Sequence, residues 1–100
     1  MIDYSNLPQN ESFVITKEYL TPNSDFQDAT KEQLLQINKD GFTVHFMMYD
    51  DDDILYYGGY LKTDLEGSED AFAPLDDYGM PNAGCTDIKY KESDGKYHSL

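Results

Sequence analysis

The stretch Phe42–Tyr49 alternates more clearly than any other part of this 100-residue chain. Side chains of an extended strand point to opposite faces with period two. Phe42, Val44, Phe46 and Met48 therefore share one face, and Thr43, His45, Met47 and Tyr49 share the other. Asp50–Asp53 follows as a turn, and Ile54–Lys62 returns as a second strand. Paired glycines inside that strand, Gly58–Gly59, predict a bulge or a close approach of backbones. Tyr56 and Tyr57 are expected on opposite faces, one in the core and one at the surface.

The flanking segments extend this hairpin into a sheet. Phe13–Leu20 alternates as a strand, and Thr21–Ser24 is a turn. Thr30 is placed to cap a short helix, with Gln33 as its capping-box partner three residues on. Leu34, Leu35 and Ile37 give that helix an apolar side, and Gly41 ends it. Cys85–Lys91 and Lys96–Leu100 read as a last hairpin about Asp94–Gly95. Between them, residues 63–84 are rich in glycine, proline and acids and read as a long acidic loop. The expected fold is α+β: residues 1–100 as a single acidic domain, a small antiparallel sheet of four to five strands with one short helix.

Leu, Ile, Val and Phe total only 21 residues, near the level at which a highly charged chain stays disordered. Nine tyrosines and five phenylalanines tip the balance toward folding, because aromatic rings bury large areas.

Charge sets the class of partner. Twenty acids oppose seven lysines, there is no arginine, and the net charge is −13. Eleven of those acids but only Lys62 among the lysines lie within residues 40–77. Such a chain is a poor candidate for direct contact with nucleic acid or with an anionic membrane surface. No apolar run reaches the roughly 18 residues of a membrane span. The first ten residues lack a basic region followed by an apolar stretch, and the lone Cys85 cannot form an internal disulfide. A cytoplasmic setting is therefore expected.

Two groups of carboxylates are candidates for partner binding: Asp50, Asp51, Asp52 and Asp53 at the hairpin tip, and Asp64, Glu66, Glu69, Asp70, Asp76 and Asp77 beyond it. Tyr56 joins them, because exposed tyrosine offers contact area, a hydroxyl and a ring that attracts cations. The plain reading is a solvated, solubilising surface. The functional reading follows from spacing. Alternate residues of extended backbone are about 6.6 Å apart, and phosphates along one strand recur every ~3.4 Å of axial rise. Carboxylates on loops and hairpins can thus imitate a phosphate track and steer toward a cationic groove.

Metal and catalytic readings have less behind them. Asp51-x-Asp53 opens like a calcium loop, but Leu55 and Tyr56 stand where a further ligand and glycine are required. Asp64-x-Glu66-Gly67-Ser68-x-Asp70 offers oxygens in the wrong register. His45, His98 and Cys85 lack zinc-ligand spacing. Cys85 opens an expected strand, which suits a buried small hydrophobe better than a nucleophile. No phosphate loop or nucleophile elbow is present, and no cofactor is implied.

With Asp50–Asp53, Asp64, Glu66, Glu69, Asp70, Asp76 and Asp77 in a short chain without arginine, the profile resembles the small acidic inhibitors of phages and mobile elements, the anti-CRISPR and other DNA-mimic proteins. The likeness is one of size and charge. It implies a non-enzymatic protein that blocks the basic groove of a nucleic-acid-binding protein or nuclease complex. The alternatives are an immunity protein neutralising a nuclease toxin, a calcium-binding acidic domain, and an acidic adaptor.

Overall fold

The computed structural model describes residues 2–19, 27–65 and 68–99. Five strands, β1 (Phe13–Glu18), β2 (Phe42–Tyr49), β3 (Leu55–Lys62), β4 (Asp87–Lys91) and β5 (Tyr97–Ser99), form one antiparallel sheet in the order β1-β3-β2-β4-β5. The β2–β3 hairpin is its centre, as the alternation requires. The expected turn at residues 21–24 lies outside the described residues.

Helix α1 (Lys31–Lys39) begins where its cap predicts. The Thr30 hydroxyl accepts from the Gln33 backbone N–H at 3.1 Å, and the Gln33 side chain accepts from the Thr30 N–H at 2.9 Å. Gly41, at φ +99°, turns the chain out of the helix and into β2. Ile37 is buried, but Leu35 is 58 % exposed, so the helix shows the sheet a narrower apolar stripe than its leucines suggest.

Each face of the sheet carries a core. The larger core lies on one face and comprises Ile15, Phe46, Met48, Tyr57, Leu61, Ile88 and Tyr90, closed by Ala71, Leu75 and Cys85. A smaller core on the other joins Val14 and Phe42 to Ile37 of α1 and to Leu7. Phe42 is a correction. Alternation puts it with Val44, Phe46 and Met48, but the β2–β3 register shifts between Phe42 and Val44. That irregularity turns its ring toward α1.

The second correction is larger. Residues 63–84 are not an open loop. They hold 3₁₀ turns at Thr63–Leu65 and Glu69–Phe72, then a π-helical turn, Leu75–Gly79, running into the α-helical turn Met80–Ala83. Ala71 and Leu75 are four residues apart and bury against the sheet. Tyr78 packs edge-on against Tyr57, with centroids 4.9 Å apart. Pro74 precedes the π turn in helical backbone, and Pro81 follows within the α segment. Gly79 lies close under Met48: a Cβ there would come within 2.7 Å of its sulfur.

Tyr90 fastens this segment to the sheet. Its hydroxyl donates to the Ala71 carbonyl at 2.7 Å in a buried setting. Tyr90→Phe should lower stability by about 1–2 kcal/mol in denaturant melts, because it leaves that carbonyl without its partner. An unchanged midpoint would show that the tether contributes nothing.

Candidate functional site

The hairpin tip is built around one of its four aspartates. The Asp50 carboxylate accepts from the backbone N–H groups of Asp52 and Ile54, at 2.9 and 3.0 Å. The Ile54 bond, with help from those of Asp52 and the Tyr56 hydroxyl, holds Asp50 below the usual carboxylate range. Asp53 takes a left-handed backbone, φ 61°, which aspartate tolerates better than most residues. Asp51, Asp52 and Asp53 are consequently exposed, while Asp50 is half-buried and holds the turn.

Tyr56 does not do what its sequence neighbourhood suggests. The β2–β3 register shifts again between Met48 and Tyr49, adding a residue to β3. Tyr56 and Tyr57 therefore pack against the same core instead of opposite faces, their centroids 6.5 Å apart. Tyr56 is half-buried, and its hydroxyl is engaged by Asp50, which raises its pKa. It supports the tip and does not project from it.

The remaining acids occupy two further stations. Asp76 and Asp77 are exposed in the helical segment, beside the Tyr78 ring that rests on Tyr57. Asp64 and Asp70 border a groove of about 470 Å³ together with Glu11 and Lys62, at the end of β3 away from the tip. The eight residues of β3 set the tip and that groove roughly 23 Å apart, at about 3.3 Å per residue. Glu66 lies outside the described residues, as does the side chain of Glu69. Among the described residues the central acids thus form a chain of stations and not one compact cluster.

The lysines lie mostly elsewhere. Lys17 sits over the Tyr19 ring and Lys89 over Tyr49, with centroid distances of 4.9 and 4.7 Å. Lys62 covers Phe42 and donates to the Asp40 carbonyl at 3.0 Å. Among the described residues, one central acid has a lysine within 4.0 Å: Asp53, at 4.0 Å from Lys89. Exposure leaves that pair little energetic weight.

Cys85 is buried in the larger core, and its thiol is pushed up to about 11, chiefly by burial and further by Asp50. It is therefore uncharged near neutral pH. His45 bonds to Tyr97 and His98 to Asp94, and neither histidine belongs to that core. Among the described residues, no three His, Cys, Asp or Glu side chains converge to hold a metal ion. Nor is any described helix long and apolar enough to cross a membrane. No family model, curated protein or solved structure matches this chain.

On the sheet face that carries α1, the helix covers only the Phe42 end. Beyond it, His45, Met47, Tyr49, Tyr60 and Tyr97 are half-buried and Tyr19 is exposed. The alternation of β2 puts His45, Met47 and Tyr49 on one face, and strand order brings Tyr60 and Tyr97 beside them.

Proposed function

We propose that the protein is an acidic, non-catalytic inhibitor that takes the place of nucleic acid in the cationic groove of a nucleic-acid-binding protein or nuclease complex, in the manner of anti-CRISPR and anti-restriction proteins, in the cytoplasm. The reading rests on one observation. Among the described residues the acids of the tip, the helical cover and the far groove have few lysines near them: Lys89 comes within 4.0 Å of Asp53 and Lys62 borders the far groove, while Lys17 and Lys89 lie over tyrosine rings.

Two physical arguments support it. Exposed carboxylates left without partners extend a negative field that raises association rates with a cationic groove. The stations also span about 23 Å, close to seven phosphate steps at ~3.4 Å of rise. An array of that length engages a groove that tracks a nucleic-acid backbone.

Competition tests this. The protein, immobilised at low salt, is expected to retain nucleic-acid-handling proteins from lysate and to release them to duplex DNA and to raised salt. Retained partners that resist both treatments would sink the proposal.

A further inference from the structure

The tyrosine-bearing side of the sheet contains a groove of about 610 Å³, within the size range of small-ligand sites. Thr43, His45 and Tyr60 line it from β2 and β3, and Lys91, Glu92 and Tyr97 from the β4–β5 hairpin. Its rings are organised. His45 lies 4.9 Å from Tyr60, tilted by 49°, and 5.5 Å from Tyr97, edge-on at 76°. His45 Nδ1 shares a hydrogen bond with the Tyr97 hydroxyl, which fixes the imidazole. Burial, aided by the Lys91 charge, lowers the His45 pKa, so the ring is neutral at physiological pH.

Lys91 differs from the other lysines of the sheet. Lys17, Lys62 and Lys89 each cover an aromatic ring. Lys91 is exposed and, among the described residues, has neither a ring beneath it nor a carboxylate within 4.0 Å. A cation left without a partner in a chain with twenty acids, beside a cleft of three rings, fits a ligand that joins a planar ring to an anion.

We propose that this groove binds a nucleotide unit, its base against the rings of Tyr60, His45 and Tyr97 and its phosphate at Lys91. The chemistry is shared by a free mononucleotide and by one residue of a single strand. The charge pattern favours the free form. Charges farther than a Debye length, about 8 Å at physiological salt, are largely screened. A mononucleotide in the groove is thus governed by Lys91 and by the opposing Glu92, whereas a strand leaving it runs through the field of a −13 protein. The inference is independent of the acidic surface, and neither depends on the other.

Titration with AMP, followed by NMR of the His45, Tyr60 and Tyr97 ring resonances, tests it. AMP should give saturable shifts with a dissociation constant of roughly a millimolar or tighter, and adenosine or inorganic phosphate alone at least about tenfold weaker binding. Lys91→Gln should weaken AMP about tenfold, and Glu92→Gln should tighten it about threefold. Both residues are exposed, so the fold is kept in either variant. A short oligothymidylate that binds more tightly than AMP would assign the site to single strands. Absence of saturation with AMP, equal binding of phosphate alone, or indifference to Lys91→Gln would overturn the proposal.

Discussion

Gly59→Ala is expected to cost about 3 kcal/mol or more. Gly59 lies in β3 between its neighbours β1 and β2. A Cβ there would stand 2.2 Å from the Val14 carbonyl oxygen, 2.8 Å from the tip of the Phe46 ring and 3.1 Å from the Ile15 Cα. Two of those atoms are backbone in a fully buried part of β1, so relief requires moving a strand. The adjacent glycine supplies the control. At Gly58 the nearest atoms are 3.6 Å away, the Phe46 carbonyl oxygen and the edge of the exposed Tyr19 ring. Gly58→Ala should therefore fold normally, and alanine there also removes glycine's entropic cost of roughly 0.5–1 kcal/mol. At about 4–8 °C per kcal/mol for a domain of this size, the two variants should melt more than about 12 °C apart. Similar melting temperatures would mean that the strands do not approach at Gly59 as closely as described.

Gly59 also shows what the sequence reveals and where it stops. Two glycines in a strand announce a close approach, and it is there, at one of the pair. The β1–β3 register shifts opposite them, between Ile15 and Lys17. Signals of this kind are local: the Thr30–Gln33 box, the Gly41 exit and the Phe42–Tyr49 alternation each involve residues within a turn or a strand of one another. Counting assigns the face correctly for Val44, Phe46 and Met48 but fails beside a register shift. Phe42 and Tyr56 each lie beside a shift that reverses the face assigned by counting. The helical segment over the main core was hidden because Pro74, Gly79 and Pro81 break its period, although Ala71 and Leu75 keep the spacing that buries it. Position along the chain gave no hint of the ring cleft, which joins β2, β3 and β5 through strand order alone. For the acidic candidates, composition identified the carboxylates but could not separate Asp50, which holds the turn, from Asp51 and Asp52, which face water.

That separation sets the sharpest test of the acidic surface. The double variant Asp51→Lys with Asp52→Lys changes the tip by four charges without removing a hydrogen bond made by either side chain among the described residues. Affinity for a partner retained in the competition experiment should fall about a hundredfold at low salt, mainly through association rate, because steering contributes roughly 10–10³ to such rates. The loss should shrink as salt rises, since screening removes the field that the variant inverts. Asp50→Lys is the instructive contrast. It deletes the acceptor for Asp52, Ile54 and Tyr56, so it should loosen the hairpin and lower the melting temperature as well as affinity. Lys17→Gln, on the far side of the sheet, should leave partner affinity nearly unchanged. If the Asp51/Asp52 variant binds as well as the parent while remaining folded, the tip is only a solvated turn. If Lys17→Gln weakens binding as much as the tip variant, the contact lies on the tyrosine face instead.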